Sequence, residues 1–317
     1  MKLLIISSAI VLLSQLSFAS PTPTEREEAA HAKLVKRATI TDAANLGYAT
    51  QNGGTTGGRG GTVTTVSTLA QFSAVADNSK NNDATPRIIV VKGTISGATQ
   101  VRIGSNKSII GLPGAKFEGV SLFIWKQSNV IVRNIISANV LASSGDGLTV
   151  QASNNVWIDH CEFYSDLNHD KDYYDGLVDA SLIGHSDNNP KDAGHLHVTQ
   201  AYNYWENIGS RTPSFRYGTG HIYNSYFKNM KTGIDTRDGA QILIQSNVFR
   251  NVTQPIAALY SDVTGYANVF DVDLGGASNT APVGKLTASS MPYSYSLLGS
   301  GSTVSSVMGT AGATLSF

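Results

Sequence analysis

Residues 195–205 read "HLHVTQAYNYW", residues 220–227 "GHIYNSYF" and residues 241–249 "QILIQSNVF". Laid one above another, they bring Trp205-Glu-Asn207, Phe227-Lys-Asn229 and Phe249-Arg-Asn251 into line at two successive spacings of 22. Each holds short β-branched and aromatic runs broken by Asn, Ser or Gly, which is the pattern of strands joined by tight turns. Earlier runs have the same character: "RIIVVKG" (87–93), "KSIIG" (107–111), "NVIVRNI" (129–135) and "NVWIDHCEF" (155–163), with Asn129 and Asn155 in one phase at a spacing of 26. A period near 22 with three short strands implies a solenoid, in which every coil buries its apolar face on its neighbours. A β-sandwich also repeats strands at short intervals, but it has no need to keep Asn in phase. The expected fold is therefore all-β, a parallel β-helix. One short N-terminal helix is expected within 67–80, "STLAQFSAVADNSK", capped by Ser67 and carrying the stripe Leu69, Phe72, Val75 and Ala76.

Composition narrows the setting. The first 19 residues, "MKLLIISSAIVLLSQLSFA", have a charged start, an apolar run too short for a bilayer and a small-residue end, so they read as a signal peptide. Residues 20–37 are polar and end in Lys36-Arg37, a propeptide with a dibasic processing site. Residues 38–317 then form a single domain, secreted and extracellular, with no membrane anchor. The whole chain has 23 basic and 23 acidic residues; without residues 1–37 it has 18 against 20. That balance gives no reason to expect a nucleic-acid partner. Cys161 is the sole cysteine, so stability must come from core and hydrogen-bond ladder rather than a disulfide. Sequons at Asn106 and Asn251 mark candidate glycosylation sites.

Longer motifs carry a resemblance. "NNVWIDHCEF" (154–163), "DKDYYDGLVDA" (170–180), "SLIGHSDNN" (181–189) and "SRTPSFRYGTGHIYNSYF" (210–227), with the start "ATITDAANLGYATQNGGTTGG" (38–58), resemble fungal-type secreted pectate lyases. The resemblance covers nearly all of residues 38–317. It implies a right-handed parallel β-helix and calcium-dependent β-elimination of polygalacturonate, the substrate partner, by an enzyme able to act as a monomer. By the family pattern the Ca2+ ligands fall on Asp146, Asp175 and Asp179. Calcium suits an all-carboxylate set, being a hard cation that takes six to eight oxygens at about 2.3–2.6 Å. Taken alone, three aspartates in such loops are more often solvated or capping residues. In an ideal strand, residues four apart lie about 13 Å from each other, so Asp175 and Asp179 share one ion only if the chain bends, and Gly176 is the place for it. Ser144 stands where bacterial relatives carry a further aspartate.

The resemblance makes Arg211 the catalytic base that takes the C5 proton, and Arg216 the residue that binds or orients the substrate acid. Guanidinium ordinarily keeps its proton, so this role demands crowding by other cations and alkaline pH. Trp157, Asp159 and His160 suggest acid–base work, but Trp157 reads better as core, and the resemblance implies that the motif lies away from the calcium cleft. Tyr173, Tyr174 and Trp205 suit either sugar stacking or packing.

One coil is missing from the family pattern. Between "DGLVD" and "ASLIGHSD" that pattern places a further strand of "VTVS" type and a lysine that grips a substrate carboxylate; here Ala180 follows Asp179 directly. Neither Lys171 nor Lys191 takes the lysine's position. Either a short coding segment was dropped from the gene model or the chain is a true variant; the leading function is a pectate lyase, with activity impaired in the second case. The alternative is a pectin-binding β-helix that does not turn over. A glycoside hydrolase would need paired carboxylates near Arg211, and a pectin lyase would have less use for the three aspartates.

Overall fold

The computed structural model describes residues 38–79, 82–166, 168–169, 173–174, 181–184 and 186–317. The signal peptide and propeptide expectations lie outside these residues, as do Asp175 and Asp179. Every strand pair in the sheets is parallel. One sheet runs through β1 (Thr62–Val66), β2 (Arg87–Val91), β4 (Lys107–Gly111), β6 (Ser128–Arg133) and β9 (Asn154–Asp159). A second runs through β3 (Thr94–Arg102), β5 (Lys116–Trp125), β7 (Ile136–Ala138) and β10 (Glu162–Tyr164), with β8 (Leu148–Gln151) also on β5. A third holds β11 (Leu182–Ile183), β14 (Ser214–Arg216), β16 (Tyr226–Arg237) and β13 (Tyr204–Glu206), with β18 (Val248–Ala257) on β16. The fourth is β12 (His197–Ala201), β15 (Thr219–Tyr223), β17 (Gln241–Gln245) and β19 (Tyr266–Phe270). Consecutive coils of one chain thus lie as neighbours in each ladder, which is the parallel β-helix that the 22-residue period implies.

The aligned residues explain that period. Trp205, Phe227 and Phe249 are register partners and stack, with ring centroids 6.4 Å and then 4.5 Å apart. Two residues on, Asn207, Asn229 and Asn251 each adopt positive φ, between 52° and 57°. Asparagine is among the few side chains that accept this left-handed turn at low cost. Their amides also join from coil to coil: Asn229 donates to Asn207 at 3.1 Å and Asn251 to Asn229 at 3.0 Å. The retained Asn phase is therefore both a turn device and a ladder.

Helix α1 spans Leu69–Ala76, and Thr68 rather than Ser67 is its cap, accepting from the Gln71 amide at 3.3 Å. Phe72 and Ala76 of the expected stripe are buried. A second helix, α2 (Ser300–Thr310), had no counterpart in the sequence reading: it is rich in Ser and Gly and has no side-chain cap. Packing holds it, since Val307 and Thr303 are fully buried and Val307 sits with Tyr226 and Val248. Among the described residues no helix is long and apolar enough to cross a membrane.

All the ladders break at one level. Among the described residues nothing pairs β9 with β12, β10 with β13, or β8 with β11. The core divides there too: one apolar cluster ends at Leu148, Val156 and Cys161, and another begins at Ile183, Leu196, Val198 and Trp205. Val150 and Ile158 partner the fully buried Ile124 and Val132 in register, yet each is 41% exposed. On the far side Gln200 Oε1 and Trp205 Nε1 are buried without a hydrogen-bond partner. Val150 and Ile158 are thus inward-facing positions that no described coil covers on the seam side, and the break falls around the Asp179–Ala180 join.

The N-terminal segment straps this seam. Asn155 of β9 donates to the carbonyls of Gln51 and Gly54 at 2.8 and 3.0 Å, and the Tyr48 amide donates to Thr199 Oγ1 of β12 at 3.0 Å. Gly47 has φ 69°, and a Cβ there would fall 2.6 Å from Thr199 Cβ, so only glycine permits the approach. Asp42 anchors the segment on Arg133, 2.9 Å away. Arg133 also binds Asp159 at 2.6 Å and lies over Trp157, so Trp157 and Asp159 are structural, as expected.

On the fourth sheet, His221 is fully buried. Its Nδ1 lies 2.9 Å from the Tyr293 hydroxyl and its Nε2 3.1 Å from Gln245 Oε1. Burial pushes its pKa down to about 4. The folded chain then binds fewer protons than the unfolded one between about pH 6.5 and 4, so stability present above that window is lost as pH falls through it, on the order of 3 kcal/mol. A His221→Gln variant is expected to show a flatter dependence of Tm on pH across this window; a slope equal to wild type would assign the effect elsewhere.

Candidate active site

Of the two arginines singled out in "RTPSFR", Arg216 ends β14 and Arg211 lies in the turn that leads into it. Arg211 is half-buried with φ 64°, left-handed backbone unusual for a side chain of its size. Its carbonyl accepts from the Ser181 amide at 2.8 Å, and the Ser181 carbonyl accepts from Ser214 at 3.0 Å, which fixes the turn into β14 against the coil before it. Phe215 points inward and is fully buried, so Arg216 projects from the opposite face.

Arg216 is held by acids. Its Nε donates to Asp187 Oδ1, its Nη1 donates to the Gly184 carbonyl at 3.2 Å, and Asp238 Oδ2 lies 3.7 Å from Nε. Arg237, its register partner one coil on, donates to the other oxygen of Asp187 and to the Tyr260 carbonyl, each at 2.5 Å. Burial raises the carboxyl of Asp187, but hydrogen bonding and charge from Arg216, with the charge of Arg237, outweigh it and hold the pKa below the ordinary range. Asp238 shifts the other way, raised by burial and by the neighbouring Asp187. Asp235 beneath is also raised by burial; it accepts from the Leu259 amide at 2.9 Å and from Ser214 at 3.3 Å. Two arginines and three carboxylates thus form one network on a single face. The sequence reading missed Asp187, Asp235, Arg237 and Asp238. The available signal was the spacing of 21 from Arg216 to Arg237, close to one coil.

Asp146 stands across the seam, half-buried after a 3-10 turn (Ala142–Ser144) and Gly145 at φ 88°. Its Oδ2 accepts from Thr149 Oγ1 at 2.9 Å. Ser144, where the relatives' extra aspartate would be, is buried. Among the described residues no group of three His, Cys, Asp or Glu is placed to hold a metal; the other two expected ligands fall outside them. Asp146, the expected ligand that lies within them, is a half-buried carboxylate, a donor type that suits a hard cation such as calcium. Of the aromatic candidates, Trp205 belongs to the interior stack, Tyr173 stacks on His169 at 4.0 Å, and Tyr174 donates to Asp166 at 3.3 Å. Asn251 is exposed at the end of its amide ladder, whereas Asn106 donates to the Ala84 carbonyl at 2.9 Å.

A family model described as pectate lyase matches residues 22–181 and 170–316. The chain belongs to the pectate lyase family. It is 50% identical over 336 residues to Pectate lyase A of Aspergillus niger, covering 99% of this chain and 98% of that one. It is 48% identical over 305 residues to Pectate lyase B of Colletotrichum gloeosporioides, covering 89% of each. A solved pectate lyase from a Bacillus species, in complex with trigalacturonate, superposes with a TM-score of 0.72 at 32% identity, over 85% of this chain and 98% of that one. The chain is therefore a polysaccharide lyase by family, on the β-helix expected of it. The family model matches in two pieces that meet within 170–181, where the ladders break. With a second Aspergillus niger relative, 335 aligned positions cover 98% of the 317 residues, about 311, so about 24 positions have no residue opposite them in this chain. That number is about one coil.

Proposed function

We propose that the chain is an extracellular, calcium-dependent pectate lyase that cleaves polygalacturonate by β-elimination, weakened by the loss of one coil and its lysine. The combination that carries the reading is half identity to a pectate lyase along nearly the whole chain, together with Arg211 held by Ser181 in the turn just before β14. Asp146, Asp175 and Asp179 would hold the calcium ion, which neutralises the substrate carboxylate and so makes the adjacent C–H more acidic. Arg211 takes the C5 proton. Arg216 and Arg237 present cationic edges to the uronate acid; because Asp187 already bridges them, substrate must compete with that carboxylate, and each arginine stays oriented until it does.

A second reading, a pectin-binding β-helix without turnover, is favoured by the seam, which separates Asp146 from the arginines by a break in the ladders. The two are told apart by incubating the chain from Ala38 onward, shown folded by circular dichroism, with polygalacturonate and following the ultraviolet absorbance of unsaturated uronide. Absorbance that rises with calcium and stops with chelator is the expected result. Saccharide binding without absorbance would establish the binder instead.

A further inference from the structure

An aromatic and cationic platform lies on the same sheet as Asp146, outside the arginine network. Phe123 of β5 is in register with Thr149 of β8, whose hydroxyl holds Asp146. On the other side Phe123 is in register with Arg102 of β3. The Arg102 guanidinium lies 5.7 Å from the Phe123 ring centroid and 5.4 Å from that of Trp125. The two rings are nearly parallel, 10° apart, and Lys126 Nζ stands 4.5 Å from the Trp125 centroid. Trp125 is 38% exposed, whereas Leu122 and Ile124, which alternate with these positions and face inward, are fully buried. Beside the platform is a polar hollow of about 350 Å³ lined by Thr99, Gln100, Ser143, Ser144 and Gly145. The neighbouring Ser121 hydroxyl is buried and has no hydrogen-bond partner.

An aromatic pair with two cations lying over its rings, beside a hydroxyl-rich hollow, matches one ligand chemistry: an acidic sugar, with apolar C–H faces, a carboxylate and hydroxyls. We propose that Arg102, Phe123, Trp125 and Lys126 form a distal subsite for uronate residues of the polymer, with the hollow receiving their hydroxyls. Continuity with Asp146 sets the direction. Each step from β8 to β5 to β3 is about 4.8 Å, so the platform engages residues beyond those at the bond being broken, and only chains of several uronates reach it. The proposal rests on the polygalacturonate reading above, and its test separates the two.

The test is titration of the full chain with hexagalacturonate and trigalacturonate in calcium buffer, followed by tryptophan fluorescence and calorimetry, with Arg211→Gly as background to stop turnover. Trp125→Ala and Arg102→Gln are expected to weaken hexagalacturonate binding about tenfold, which is about 1.4 kcal/mol, and to leave trigalacturonate binding unchanged. Both side chains lie on the outer face, and unchanged circular dichroism checks the fold; Trp125→Phe, which keeps a ring, should recover most of the affinity. Equal hexagalacturonate binding by all variants would overturn the subsite while the lyase reading stands. Lack of saccharide binding by any form would overturn both. Length-dependent binding lost in the variants, with no uronide released by wild type, would keep the subsite and sink the lyase.

Discussion

Inserting the matching coil of Aspergillus niger Pectate lyase A between Asp179 and Ala180 is expected to raise Tm by about 10 °C and kcat/KM on polygalacturonate by at least tenfold. The stability gain comes from the seam. Val150, Ile158, Val198 and Trp205 each stand on an inward-facing column with one side uncovered. Completing their burial is worth about 1 kcal/mol apiece, and about 4 kcal/mol moves Tm by roughly 8–16 °C in a chain of this size. The added coil's own interior residues offset its ordering entropy, as repeats in solenoids do. The activity gain would come from the lysine that the resemblance places in this coil; a charge-assisted bond to a substrate carboxylate contributes about 1.5–3 kcal/mol. Thermal unfolding and the uronide assay read the two effects separately. An inserted chain no more stable than the parent would mean that the Asp179–Ala180 join closes the helix as it stands.

Arg211→Gly should separate catalysis from stability. Arg211 sits at φ 64°, a conformation that costs a bulky L-residue about 1–2 kcal/mol and glycine almost nothing. Functional residues are where such strain is tolerated. The glycine variant is therefore expected to unfold about 2–4 °C higher, by the usual conversion of about 1 kcal/mol, while kcat falls by about 10²–10⁴, the worth of a positioned base. A variant that is both less stable and still active would remove Arg211 from the base's role and make its backbone conformation incidental.

How much of this was legible in the sequence depended on distance along the chain. Trp205, Phe227 and Phe249 repeat at the coil length, so one line of sequence shows a contact made in three dimensions. The same holds for the Asn ladder and for the abrupt join at Asp179. By contrast, the network around Arg216 joins Asp187, 29 residues before it, with Arg237 and Asp238 one coil after it. Charged residues on an outer face follow no apolar period that would announce their meeting. Helix α2 was hidden for a different reason: its residues have weak helical preference, and its burial against Tyr226 and Val248 decides its conformation. The Tyr48–Thr199 contact had no local signal at all.

That strap has a consequence for the order in which the molecule assembles. Its bond from Tyr48 to Thr199 spans 151 residues, whereas coil-to-coil contacts span 22 or so. Closing so long a loop early is entropically unfavourable, and local pairings form first when sequence separation governs rate. During synthesis Asp42 and Gln51 can dock on the first stack of coils, whereas Tyr48 must wait for Thr199 of the second. One hydrogen bond of the strap is thus completed only after the second stack is in place.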